Sequence, residues 1–295
     1  MFEKFECFTS HTVPVGNGIE IAAWKAGSGP PLLLLHGFPE TSACWRKIAP
    51  QLAERYTVIA SDLRGYGRSS KPPGGGDHAA YSKRAMAADQ VALMKALGFD
   101  RFRLVGHDRG GRVAHRLALD HPNAVERVAL LDIAPTATMY AATDRVFAEA
   151  YYHWFFLIQP ADFPERMIAN DTHHYLRHTF ASWCKTDGAF DETILRHYEE
   201  AWFDPAAIHG ACEDYRAAAT IDLVHDAESD AAGRKLAMPL LALWGARGIV
   251  ARKFDVLATW REKSAASVEG HAIDCGHFLP EEAPEATLKA LLGFL

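Results

Sequence analysis

Asp108 stands in "VGHDRGGR" (105–112), where an apolar run ends in Gly-His-Asp-Arg-Gly and helical spacing begins at once. A strand–Gly-x-X-x-Gly–helix turn lifts its central residue to the end of a sheet strand, in a strained conformation that small flanking residues permit. Serine is the common occupant of such a turn, and here it is a carboxylate. Beside a helix N-terminus that carboxylate stays ionised, and it is expected to be exposed. A carboxylate nucleophile suits displacement at a saturated carbon, giving an ester that water must then hydrolyse. A helix-capping Asp is the plainer reading of the residue in isolation, and the surrounding motif weighs against it.

The water needs a base. "DCGHFLPEEAPE" (274–285) places His277 in a loop before a final helix, whereas His271 falls inside the preceding strand-like segment and reads as structural. The base needs an orienting acid. The loop after "LALWG" (241–245) holds none before Asp255, so the acid must come from elsewhere. Asp132 in "LLDIAPT" ends the core strand after the nucleophile's and can reach the same histidine. A loop-capping aspartate is the alternative there. The backbone N–H groups of Phe38, in "HGFPE", and of Arg109 are candidates to hold the oxyanion during ester hydrolysis.

Arg109 and Arg112 lie three apart on the first helical turn, so both can face the nucleophile. Two guanidiniums beside an aspartate suit an anion, and their fork geometry matches a carboxylate. Surface salt-bridging is the bland alternative for each.

These groups need a scaffold. "PPLLLLHGFPE", "YTVIASDLRGYGRSS", "FRLVGHD", "VERVALLDIAPT" and "MPLLALWGARG" are buried strand runs ending in loops, with helical spacing over 82–98 and after Asp108. Continuous apolar strands alternating with helices predict an α/β fold with a mostly parallel sheet covered on both faces. From 137 to 225 strand signals vanish and aromatics crowd in, which predicts a helical cap (137–225) inserted into a core made of 1–136 and 226–295. The 295 residues are 49% hydrophobic and 23% charged, within the range of ordinary globular domains. Lys and Arg number 31 against 37 Asp and Glu, and no basic cluster stands out, which argues against a nucleic-acid partner. The start lacks a signal-peptide core and no run of 18 apolar residues occurs, so no membrane association is expected and a cytoplasmic location is. Cys7, Cys44, Cys184, Cys212 and Cys275 are scattered, with no C-x-x-C pair, and His173–His174 lacks ligand spacing, so neither a metal nor a disulfide framework is expected.

The chain resembles α/β-hydrolases of the haloalkane dehalogenase and epoxide hydrolase branch, and more closely the fluoroacetate (haloacetate) dehalogenases. "LLLLHGFPET", "DLRGYGRSS", "GHDRGGR", "LLDIAPT", "YYHWFFLIQPA", "CEDYRA", "LALWGA" and "GHFLPEEAP" carry the resemblance over nearly the whole length. It implies the α/β-hydrolase fold, the catalytic set Asp108, His277 and Asp132, no cofactor, and a homodimer. Arg109 replaces the Trp that usually follows the nucleophile in haloalkane dehalogenases and epoxide hydrolases. The resemblance then makes Arg109 and Arg112 the clamp on the carboxylate of a short 2-halo acid. It assigns His153, Trp154 and Tyr215 to the halide pocket, where their N–H and O–H groups suit a departing fluoride. Tyr152 and Trp183 are candidates to line that pocket, and Ala134 and Ala137 to leave room for a larger acid. The expected reaction is hydrolysis of haloacetate to glycolate and halide. Two alternatives stay open: an epoxide hydrolase using the same Asp/His pair, with Tyr152 and Tyr215 as ring-opening donors, and a non-catalytic small-molecule receptor.

Overall fold

Runs such as "PLLLL" and "TVIAS" have no polar alternation, so they need cover on both faces of a sheet. In the computed structural model, which describes residues 7–295, they receive it. The start of the expected 1–136 segment, and with it most of the stretch read as lacking a signal peptide, lies outside the described residues. The strands are β1 (Thr9–Gly16), β2 (Ile19–Ala26), β3 (Pro31–Leu35), β4 (Thr57–Ser61), β5 (Phe102–His107), β6 (Val125–Leu131), β7 (Leu240–Gly245) and β8 (Val268–Ile273). They form one sheet in the order β1-β2-β4-β3-β5-β6-β7-β8. The pairings from β4 to β8 are parallel, while β1–β2 and β2–β4 are antiparallel. That antiparallel edge has no counterpart in the sequence reading, because β1 is mostly solvent-exposed and lacks a sustained apolar signal.

Period-two alternation sorts the strand side chains between the two faces. Leu33, Leu35, Ile59, Leu104 and Leu130 share a core with Met86, Leu93, Val113 and Leu117 from the helices Lys83–Ala96 and Asp108–Asp120. Leu32, Leu34, Val58, Val105 and Leu131 share the other with Leu52, Leu291 and Phe294. Each such Leu, fully buried, contributes about 1.5–3 kcal/mol relative to exposure. Between β6 and β7 the chain runs from Thr136–Ala141 to Ile221–Ala231 as helices, with no strand among the described residues. The last of these helices crosses residue 225. No helix among the described residues is long and apolar enough to cross a membrane.

The strand order reverses at β3, whose chain continuation goes to β4 on one side while β5 lies on the other. Such a switch point opens a crevice at the C-terminal ends of the strands. The loop after β3 (36–41) and the turn after β5 meet there, and two glycines allow it. A Cβ on Gly106 would lie 2.4 Å from the Gly110 carbonyl oxygen, and one on Gly110 would lie 2.4 Å from the carbonyl oxygens of Leu35 and His36. Backbone on both sides leaves nowhere to give. Replacing Gly110 with Ala is expected to cost about 1–3 kcal/mol or more by overpacking, read as a lower urea-unfolding midpoint at unchanged slope.

Candidate active site

Asp108 opens the helix Asp108–Asp120 with a left-handed φ of +44°, which L-residues other than Asn and Asp seldom adopt. The turn is therefore strained as the Gly-x-Asp-x-Gly spacing predicts. Its exposure is not as expected: Asp108 is buried, because the 36–41 loop and the helices after β6 close over it. The backbone N–H of Phe38 donates to Oδ2 at 3.1 Å. Gly37 comes so close that a Cβ there would be 2.7 Å from the Cβ of Asp108. The Arg109 amide is the next N–H of the helix, among the first four that have no intrahelical acceptor.

The structure brings His277 and Asp132 to the same point. His277 Nδ1 lies 2.6 Å from Asp132 Oδ2, and Nε2 faces Asp108 Oδ2 at 3.8 Å. That second distance is an ion-pair contact too long for a hydrogen bond, so Nε2 is buried without a partner. Asp132 also has a left-handed φ, +52°, and its Oδ1 accepts the Gly245 N–H at 2.9 Å. The histidine loop is pinned by groups outside the Asp108, His277 and Asp132 set. Glu282 accepts the backbone N–H of Gly276 (2.8 Å), Phe278 (2.9 Å) and Lys185 (2.7 Å). His107 Nε2 meets the His277 carbonyl at 2.8 Å, and the His277 N–H donates to the Trp183 carbonyl at 3.2 Å. The signal for Glu282 in the sequence is "FLPEE", which places an acid where it can accept from the loop before its own helix.

Burial opposes charging of both Asp108 and His277, and their neighbours outweigh it. His277, Arg112 and Arg109 hold the Asp108 carboxyl far below its usual range. Burial lowers the His277 pKa, but Asp108 and Asp132 together raise it above its ordinary value. The resting pair is thus carboxylate and imidazolium.

Both arginines are buried against the site, though their forks are partly spent. Arg109 Nε and Nη2 bind Asp214 Oδ2 and Oδ1 at 2.9 and 2.7 Å, and Nη1 has no partner. Arg112 Nη1 donates to Thr136 Oγ1 at 2.9 Å and reaches the Ala134 carbonyl at 3.3 Å, and its Nε has none. Asp214 was not singled out in the sequence, where it is one of two acids in "CEDYRA", distant from Arg109 along the chain. Ala137 lines a separate small cavity with His115 and Asp230.

His153, Trp154 and Tyr215 are buried together on the helices His153–Phe156 and Pro205–Ala219, which follow β6. His153 stacks on Phe38 with ring centroids 5.9 Å apart and lies 5.5 Å from Tyr215, whose ring carries the Arg109 guanidinium at 4.0 Å. Trp154 lies under Arg112 at 4.7 Å. Trp183 packs 4.4 Å from His153 and 5.3 Å from His277. Tyr152 does not join them. It is 39% exposed, at the rim of a surface cavity with Met167 and His174, and Tyr151 takes the inward position instead, 5.0 Å from His153. Adjacent tyrosines at a turn point in different directions, and no helical periodicity tells which one faces in. Burial pushes the His153 pKa well down, so the imidazole is neutral, and pushes the Tyr151 and Tyr215 hydroxyls up, so both stay protonated. His271 lies exposed in β8 and His173 sits 3.2 Å from Glu199 at the surface, both away from this cluster. All five cysteines are free thiols.

His153 Nδ1, Tyr215 Oη, His277 Nε2, Arg109 Nη1 and Arg112 Nε are all buried without a hydrogen-bond partner. They are polar groups of a site otherwise walled by the aromatic rings of Phe38, Trp154 and Trp183.

The family model for the alpha/beta hydrolase fold matches residues 30–284. The chain belongs to the α/β-hydrolase family. It is 47% identical to a Burkholderia sp protein named fluoroacetate dehalogenase, over 99% of this chain and 95% of that one. It is 36% identical to the soluble epoxide hydrolase of Corynebacterium sp. (strain C12), over 97% and 96%. The solved structure of ALR0039 from Nostoc sp PCC 7120 superposes with a TM-score of 0.95 at 54% identity, covering 98% of both chains.

Because two carboxylates raise the His277 pKa in this α/β-hydrolase, neutralising one should lower it. In Asp108→Asn the His277 ring is expected to titrate at lower pH than in the unaltered protein, followed by NMR of the imidazole. An unchanged or higher midpoint would contradict the electrostatic picture.

Proposed function

We propose that the protein is a haloacetate dehalogenase, hydrolysing short 2-halo carboxylates such as fluoroacetate to glycolate and halide without a cofactor. The observation that carries this reading is the pair of buried guanidiniums, Arg109 over Tyr215 and Arg112 over Trp154, beside an ionised Asp108. The 47% identity to a fluoroacetate dehalogenase supports it.

The substrate's carboxylate takes the open N–H groups of Arg109 and Arg112, which aligns its α-carbon with Asp108. Asp108 attacks that carbon, and the carbon–halogen pair leaves with the halide, received by His153, Trp154 and Tyr215. A neutral imidazole and a protonated phenol donate hydrogen bonds without adding a charge that would hold the ion afterwards. Asp108 is now an uncharged ester. His277 has lost one of the two carboxylates that kept it protonated, so its proton is released and the ring becomes a base only once there is an ester to hydrolyse. Water attacks Cγ of Asp108 and gives its proton to Nε2, while Asp132 stabilises the imidazolium. The Phe38 N–H, already on Oδ2, holds the oxyanion with the Arg109 amide. On collapse the glycolate oxygen takes the proton from His277, and Asp108 returns as an acid whose proton passes to His277, which restores the carboxylate–imidazolium pair; the proton shed when the ester formed is the one proton the overall hydrolysis yields. For a chiral 2-halo acid the in-line displacement inverts the carbon. In this reading residues 137–225 act as a helical cap on a core of 1–136 and 226–295.

Opening of an epoxide by the same Asp/His pair is the second reading, favoured by the two buried, protonated tyrosines Tyr151 and Tyr215. The arginine pair disfavours it, because an uncharged epoxide leaves both guanidiniums unanswered.

Halide release from fluoro- and chloroacetate, read by ion-selective electrode, tests the main reading. No release from either, with diol formed from a small epoxide, would replace it by the second. Asp108→Asn should lower turnover at least about 10³-fold. His277→Gln should release about one halide per active site and then stop, leaving the ester on Asp108 visible by mass spectrometry.

A further inference from the structure

In sequence Arg109 and Arg112 look like equal halves of an anion clamp. Their surroundings make them unequal. Asp214, fully buried, takes Arg109 side-on through both carboxylate oxygens, and its backbone carbonyl accepts a further bond from Nη2 at 2.8 Å. The same carboxylate accepts the Lys83 ammonium and the Tyr66 hydroxyl, the latter at 2.8 Å. Lys83 in turn lies 3.3 Å from Asp222 Oδ2. Two cations and two carboxylates cancel within one buried group. Arg112 has no carboxylate partner of this kind among the described residues: its donors reach Ala134, Thr136 and the Met139 sulfur, the last at 3.2 Å.

We propose that Asp214 is a positioning and specificity residue for the haloacid reaction. It locks Arg109 edge-on, so that Nη1 alone is offered to the substrate's carboxylate, and it cancels the charge of Arg109, so that the net attraction for the anion comes from Arg112. This rests on the haloacid reading of the site. The fixed edge aligns the α-carbon, where small misplacements are costly in rate. The cancelled charge keeps the site from retaining its anionic product, glycolate.

The test compares the full chain with Asp214→Asn and Lys83→Met, using acetate as a non-reacting carboxylate in titration calorimetry at pH 8. Asp214→Asn leaves Arg109 uncompensated, so its acetate Kd is expected to fall about tenfold, the order for one added charge several ångströms away in a partly polar interior. Its turnover of chloroacetate should fall at least about tenfold as Arg109 loses its orientation. Lys83→Met adds the opposite charge and should raise the acetate Kd about tenfold. A merely structural role would lower the fraction of binding-competent protein in both variants without tightening Kd in either. A folded Asp214→Asn that binds acetate no more tightly than the unaltered protein overturns the proposal, as do shifts of the same sign in both variants. If Asp214→Asn does not fold, Lys83→Met decides, and unchanged or tighter binding overturns it. Failure of the unaltered protein to release halide would sink the haloacid reading, while the acetate constants would still judge the role of Asp214.

Discussion

If Asp108 attacks, as proposed, it has to remain charged after it has been taken out of water. Burial alone would drive a proton onto Asp108, and an isolated ion in a dry interior is far too costly to keep. The site counters this with four things on different parts of the chain: the His277 imidazolium, the two guanidiniums, the Phe38 amide and the N-terminus of the helix that Asp108 begins. Each is itself a burden elsewhere. His277 needs Asp132, Arg109 needs Asp214, and Asp214 needs Lys83. Solving one buried charge thus generates a chain of compensating charges that reaches well beyond the reacting atoms.

That chain explains what could be read from the amino-acid order and what could not. The strand runs, the strained turn at Asp108, and the candidacy of His277 and Asp132 follow from local patterns, since each sits at a strand end or a loop with its own composition. In the structure these three stand together, at 2.6 and 3.8 Å. Compensating groups leave no local mark. Asp214 lies 105 residues from Arg109 in sequence, and nothing in "CEDYRA" says which acid turns inward. The choice between Tyr151 and Tyr152 is settled by how the turn packs, and the exposure expected of Asp108 was lost to helices whose docking the sequence does not encode locally. The antiparallel edge of β1 and β2 went unread because a strand with one partner and little burial needs few apolar residues.

Among the bonds that join the helices between β6 and β7 to the rest of the fold, three sets reach the turn and loops around the candidate site. Asp214 holds Arg109, Trp202 Nε1 donates to the Pro39 carbonyl at 3.0 Å, and Trp183 with Lys185 is tied to the histidine loop. Removing one partner of a buried ion pair costs about 3–5 kcal/mol, so the Arg109–Asp214 pair ties these helices firmly to the helix that Asp108 begins. Trp183, beside His153 and His277, is only partly buried, so the layer over the candidate site thins there. The bonds that compensate the buried charges are thus also the bonds that fasten one part of the fold to the other.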